Sequence, residues 1–215
     1  MNAEEEIIKV LKKKGNKLLK KPPKSIKFTK NIEADKLLNN LKEFPHAFVL
    51  ACIMDRQIKA ERAWVIPYEI SNEIKGFKIS QLLGIEQKEI IEIFKRKSLH
   101  RFNKIMGENF YFAIHKIHND YLNDASSIWR DNPGSATLMK RFLEFKGIGI
   151  KIASMAANIL ARDFKISIKD YINIDISPDI QVKRVFKRLG LISKNSSNEE
   201  LIYCARELNP EYPGI

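Results

Sequence analysis

A three-residue turn constrains this chain more than any other feature. Gly147-Ile148-Gly149 separates two stretches of helical periodicity, 138–145 and 150–162, so closely that a helical hairpin is the expected local structure. Glycine at both positions permits positive φ and lets the backbone come close to another surface. The free N–H groups at the start of the second helix then form an anion site, of a kind suited to a phosphate. Ile148 is expected to plug the gap between the two helices, and Ala153, Ala156 and Ala157 leave room for close packing by a neighbouring helix. A tight helix–helix turn with no ligand is the plainer reading of the same residues.

Helical periodicity continues through the rest of the chain. Ile7, Ile8, Leu11, Leu18 and Leu19 share one pattern, which Pro22 and Pro23 break because neither can continue a helix. Ala34, Leu37, Leu38 and Leu41 follow, then a pattern from Phe48 through Trp64. Further helices are expected at about 78–84, 86–96, 99–105, 108–124, 135–145, 150–162, 178–189 and 197–207. Only 164–176 has strand character, with Ile166, Ile168, Ile172, Ile174 and Ile176 alternating with polar residues. The expected fold is all-α with one irregular or extended insertion.

Charge narrows the partners. The 215 residues carry 38 Lys and Arg against 26 Asp and Glu, a formal net charge of +12. Ten of the lysines lie in residues 1–30, beside only Glu4, Glu5 and Glu6. Such a stretch suits a polyanion, most simply the phosphates of nucleic acid, although a solvated lysine-rich helix has the same composition. No apolar run approaches the roughly 18–20 residues that span a bilayer, and the N-terminus has no uninterrupted apolar segment of the signal-peptide kind. A soluble intracellular protein with no membrane partner is expected. Cys52 and Cys204 are too few for a four-cysteine zinc site or iron–sulfur cluster, and read as two thiols in a reducing compartment.

A second motif, Asp179-Ile-Gln-Val-Lys-Arg-Val-Phe-Lys-Arg-Leu-Gly190, begins 28 residues beyond Lys151. It reads as an amphipathic basic helix with Ser177 as N-cap, Pro178 at the first helical position and Gly190 as its stop. Together the two motifs resemble the helix-hairpin-helix (HhH-GPD) DNA glycosylase superfamily, to which endonuclease III and the 8-oxoguanine glycosylases belong. That family's hairpin reads Leu-Pro-Gly-Val-Gly-x-Lys-x-Ala, and Phe145-Lys-Gly-Ile-Gly-Ile-Lys-Ile-Ala153 matches both glycines, the lysine and the alanine. The family's downstream motif reads Val-Asp-x-His-Val-x-Arg-Val, which Asp179-Ile-Gln-Val-Lys-Arg-Val185 matches except that Gln181 replaces histidine. Phe48-Val-Leu-Ala-Cys-Ile-Met-Asp-Arg-Gln57 is similar to the early helix whose glutamine reaches into the duplex in endonuclease III-like members. Two departures stand out: Lys146 takes the place of the hairpin proline, and the interval from lysine to aspartate is longer than the family's, which makes 164–176 look like an insertion.

The resemblance implies two helical subdomains with a cleft between them, residues 1–46 with 163–215 forming the terminal one and 47–162 the central one. It implies a base-excision repair enzyme, a DNA glycosylase with AP-lyase activity, that works without the iron–sulfur cluster and needs no cofactor and no metal. Its partner would be double-stranded DNA bearing a damaged, most simply oxidised, base or an abasic site. The protein would be a monomer, cytoplasmic and associated with the nucleoid. In that scheme Lys151 is the Schiff-base nucleophile and Asp179 the carboxylate that stabilises the cationic sugar or assists deprotonation. Gln57 fills the gap left by the extruded nucleotide, while Lys146, Gly147, Ile148 and Gly149 hold the DNA backbone. A lysine attacks only as the neutral amine, so Lys151 is expected to be buried. Family members without a lysine at this position generally only remove the base.

Two other readings stay open: a base-removing enzyme of the same superfamily, and a non-catalytic helix-hairpin-helix module that uses the hairpin for phosphates alone. The aromatic residues Trp64, Phe110, Tyr111, Phe112 and Trp129 are candidates for a base pocket, with the core as their commoner place. His115 and His118 share a helix face but would need a third ligand to hold a metal. Lys183, Arg184, Lys187 and Arg188 read as a basic face along the duplex.

Overall fold

The computed structural model describes residues 3–215, and Met1 and Asn2, which begin both the basic stretch and the expected terminal subdomain, lie outside the described residues. The described residues contain helices and no strand. In chain order the helices are α1 (Ala3–Lys20), α2 (Ile32–Asn39), α3 (Pro45–Met54), α4 (Ala60–Trp64), α5 (Ile66–Ile74), α6 (Ile79–Leu83), α7 (Gln87–Arg96), α8 (Asn103–Tyr121), α9 (Ser135–Leu143), α10 (Ile150–Asn158), α11 (Ile180–Arg188) and α12 (Asn198–Leu208). A 3-10 turn follows α8 at Ala125–Ile128, and a π-helical turn, Ile159–Asp163, continues α10.

The chain forms two compact units, each assembled from separated stretches. The terminal unit comprises Met1–Lys24, Trp129–Phe142 and Gly149–Ile215; the middle unit comprises Ser25–Ile128 and Leu143–Ile148. These bounds differ from the expected 1–46 with 163–215 and 47–162. Ala34 and Leu38 of α2 are fully buried and α2 packs on α3 and α5, which draws residues 25–46 into the middle unit. Of the helices that flank the hairpin, α9 as far as Phe142 and all of α10 join the terminal unit.

In the middle unit α3 is the central element, because every one of its residues is buried. A helix apolar all round has no face to offer water and must be surrounded; α2, α4, α5, α8 and the 3-10 turn pack around this one. The expected single pattern from Phe48 through Trp64 is broken at Asp55–Lys59, and a helix not foreseen, α5, follows, with Pro67 accommodated in its first turn. Two expected helices, 99–105 and 108–124, are one, α8. Gly107 does not interrupt it. A Cβ there would stand 3.1 Å from the Ile91 Cα, so the glycine is what lets α7 and α8 cross closely. Trp64 and Phe110 are buried, Trp64 stacking on Phe28 at 4.4 Å and Phe110 meeting Phe94 edge-on at 5.8 Å.

In the terminal unit the buried face of α10 is Ile152, Ala153, Ala156 and Ala157, the small residues that allow close packing. The stretch 164–176 forms no strand; it is an ordered loop held by specific bonds. Asp170 accepts hydrogen bonds from the backbone N–H and the hydroxyl of Ser135 at the start of α9, and the same hydroxyl accepts from the Asn173 N–H at 3.1 Å. Ile168 and Ile174 are buried beneath it, whereas Ile172 is exposed. Asn158 is buried and links three segments, donating to Ser154 O and Asp175 O at 2.9 Å each and accepting from the Tyr212 hydroxyl at 2.9 Å. Burial raises the pKa of the Tyr212 phenol. Arg206 grips Asp175 with two bonds of 2.7 and 2.8 Å. A satellite core of Phe186, Leu201 and Ala205 joins α11 to α12. Lys165 donates to Leu18 O and Leu19 O at 3.0 and 2.9 Å, closing the C-terminal end of α1.

Candidate functional site

The residues expected to act together are divided between the units: Gly149, Lys151 and Asp179 lie in the terminal one, Gln57, Lys146, Gly147 and Ile148 in the middle one.

Lys151 occupies the first turn of α10, whose N-cap is Gly149 with φ −108° and ψ 179°. This extended backbone is open to any residue, so the expected need for positive φ holds for one hairpin glycine and not for this one. A Cβ on Gly149 would meet nothing within 4 Å. The helix end is therefore open on that side, with no side chain capping its first N–H groups. The expectation of a buried Lys151 is overturned: its side chain is exposed, because α10 turns Ile152 and Ala153 inward and position 151 outward.

Asp179 heads α11, but not as expected. It is itself the N-cap, accepting from Val182 N at 2.8 Å, and Ile180 is the first helical residue. Ser177 instead donates its hydroxyl to Lys151 O at 3.3 Å. That bond ties the approach to α11 onto the first turn of α10, so the structure brings together the starts of the two helices that carry Lys151 and Asp179. The end of α11 is as expected: Gly190 has φ +75°, with Leu191 N bonded to Phe186 O and Gly190 N to Lys187 O, which closes the last turn.

In the middle unit Gly147 has φ +95°, a conformation that favours glycine. Asn109, only 2% exposed, lies against it, and a Cβ on Gly147 would come within 2.6 Å of the Asn109 Nδ2. The Asn109 oxygen has no hydrogen-bond partner, and its nitrogen has a weak one, Met106 Sδ at 3.8 Å. Sequence reasoning passed over Asn109. The available signal was a polar residue on the inward stripe Met106, Phe110, Ala113 and Ile117 of α8. Ile148 is buried. Exposed Lys146 sets its ammonium over the Phe112 ring, 4.6 Å from the centroid, a cation–π contact.

Gln57 lies in the bend between α3 and α4, exposed and with φ 55°, rather than on a helix turn. Its loop has firm supports. Trp64 Nε1 donates to Asp55 Oδ2 at 3.3 Å, and the Arg62 guanidinium donates to Leu99 O at 3.4 Å and to Ser98 O. His100 is buried and accepts from Phe102 N at its Nδ1, which leaves the proton on Nε2, an atom without a hydrogen-bond partner among the described residues. Burial holds the His100 pKa below its ordinary value.

Of the aromatic candidates, Trp64, Phe110 and Trp129 are core, while Tyr111 is half-buried and meets the His115 ring at a tilt, 4.2 Å between centroids. Among the described residues no group of three or more His, Cys, Asp and Glu side chains is arranged to hold a metal ion, and His118 is bonded to Asn123 Oδ1 at 2.8 Å. Cys52 and Cys204 are free thiols in different units, so these 215 residues do not supply the donors of a four-thiolate cluster. Burial raises the pKa of Cys52 well above the ordinary range. No described helix is long and apolar enough to cross a membrane.

Comparison with known proteins gives a likeness of fold. Neither the family models nor the curated proteins compared with this chain produced a match. A solved structure of a trapped endonuclease III–DNA covalent intermediate, an estranged-adenine complex, superposes with a TM-score of 0.54 at 16% identity, covering 83% of this chain and 76% of that one. The chain has an all-α, endonuclease III-like fold.

Proposed function

We propose that this protein is a DNA repair glycosylase with AP-lyase activity that removes a damaged, most simply oxidised, base from duplex DNA and cleaves the strand at the resulting site. The observation that carries the reading is the pairing of Lys151 in the first turn of α10 with Asp179 at the N-cap of α11, joined through the Ser177–Lys151 bond. A hairpin built only to hold phosphates needs neither a lysine nor a carboxylate at these places. The endonuclease III-like fold supports the same reading.

In this scheme the neutral Lys151 amine attacks the sugar C1′ while the glycosidic C–N bond breaks and the base departs with the bonding pair, taking up a proton. Asp179 stabilises the cationic sugar that develops. The sugar ring then opens and the C1′–amine adduct becomes a Schiff base. Loss of a proton from C2′ expels the 3′ phosphate by cleavage of the C3′–O bond, and water releases the amine. Gln57 occupies the space vacated by the extruded nucleotide, and the open start of α10 together with Lys146 to Gly149 receives backbone phosphate.

Exposure of Lys151 favours a second reading, a helix-hairpin-helix module that binds DNA without chemistry. Borohydride trapping on a duplex with one abasic site separates the two. Wild type is expected to give a covalent protein–DNA band that Lys151→Gln abolishes while still binding the duplex. A folded wild type that binds the duplex and gives no band would establish the second reading instead.

A further inference from the structure

The outward face of α1 carries four lysines against one acidic side chain, Glu6, near its start. Successive helix positions turn by about 100°, which places Ile8, Leu11, Gly15 and Leu18 on one side of α1, where they line an apolar cavity of about 230 Å³ with Ile176, Phe186, Ala205 and Leu208. Lys9, Lys13, Lys17 and Lys20 all fall within about 40° of the opposite direction, spread over about 16 Å of helix. All four are exposed, and among the described residues no carboxylate pairs with any of them. Several basic side chains elsewhere are matched: Arg141 with Asp131, Arg162 with Asp163, Arg206 with Asp175, and Lys97 with Glu69 and Glu73.

We infer that the stripe Lys9, Lys13, Lys17 and Lys20 is a docking surface for the phosphate backbone of duplex DNA. Three arguments fix the occupant. Steps of three and four residues repeat a positive charge every 4.5–6 Å or so along the helix, a density suited to a polymer of regularly spaced anions and far above what a single anion needs. A membrane-surface helix must bury its apolar face in lipid, and here that face is turned inward onto α11 and α12. The stripe also belongs to the same unit as Lys151 and Asp179, for which a duplex is the proposed ligand. That the duplex is DNA rests on the glycosylase reading.

The test is binding to an undamaged DNA duplex, followed by fluorescence anisotropy over a range of salt concentrations. Each lysine–phosphate contact contributes about 0.9 to the slope of log K against log salt. The variant K9Q/K13Q/K17Q/K20Q is expected to lose about 3 to 4 from that slope and to bind at least tenfold more weakly at about 0.1 M salt. A control that removes the same charge from the middle unit, K42Q/K75Q/K88Q/K104Q, is expected to keep the wild-type slope. An unchanged slope in the stripe variant, or equal losses in both, would overturn the inference. So would wild-type binding to vesicles of anionic phospholipid as tight as to the duplex. Should the fourfold variant fail to fold, Lys13→Gln and Lys17→Gln alone must each lower the slope by close to one. The outcome is independent of abasic-site trapping: a band with an unchanged slope sinks the stripe alone, and a reduced slope with no band sinks the lyase alone.

Discussion

Asn109 presses its carboxamide against Gly147, leaving no room for a side chain where the hairpin backbone turns left-handed. The two hairpin glycines therefore do different work, and substitution should separate them. Gly147→Ala combines unfavourable φ with a clash and is expected to cost about 1–3 kcal/mol in urea unfolding. Gly149→Ala meets no atom and keeps an ordinary φ, so its stability should stay within about 0.5 kcal/mol of wild type. Its duplex affinity should still fall, because the new methyl occupies the space offered to phosphate. A Gly149→Ala protein with wild-type affinity would remove that surface from the interface.

Asn109 itself carries a buried oxygen with no partner. An apolar side chain of similar size is relieved of that desolvation, so Asn109→Leu is expected to leave the unfolding free energy unchanged or raise it by about 1 kcal/mol. Asn109→Asp, which buries a charge in the same place, should lower it by about 3 kcal/mol. Loss of stability in the leucine variant would mean that the amide makes a bond the hairpin depends on.

Asp179 combines a cap with a charge, and the two are separable. Asn caps as well as Asp does, so Asp179→Asn should retain stability within about 0.5 kcal/mol while losing base excision in single-turnover assays. Asp179→Ala should lose excision and also about 1 kcal/mol of stability. An asparagine variant with wild-type excision would restrict this residue to capping α11.

Two histidines give stability a pH dependence of known sign. Burial lowers the pKa of both His46, whose Nε2 meets Phe77 O at 2.6 Å, and His100. The unfolded chain therefore takes up protons below about pH 6.5 that the folded chain refuses, and stability falls with pH through that window until the lowered folded values are reached. Unfolding curves collected from pH 8 down to pH 5 should show the loss, and replacing both histidines with glutamine should flatten it between pH 6.5 and the folded values.

Much of this was legible in the sequence where one residue type had one physical use. The hairpin, the small residues of α10 and the glycine stop of α11 came through because glycine and alanine leave few alternatives at those places. The rest turned on competition between equivalent choices. Ser177-Pro178-Asp179 offers two capping side chains, and Pro178 fits the first helical position after Ser177; Asp179 captures the cap because Ser177 is bonded to Lys151 O instead. Gly107 reads as a break until Ile91 is seen across from it. The alternating isoleucines of 164–176 mimic a strand, but their ladder has no partner, and Asp170 and Asn173 spend the bonding on Ser135. Whether Lys151 faces inward depends on the rotation of α10, which a spacing of residues does not specify.

The interleaving of the two units also sets an order of assembly. During synthesis α1 leaves the ribosome well before its partners: Lys165, which closes its end, and Ile176 and Phe186, which lie under its apolar face, arrive more than a hundred residues later. Throughout that interval the middle unit's long segment can collapse on its own, while α1 remains an uncovered amphipathic helix, a natural client for a chaperone and the first target of a protease in any nascent chain that stalls.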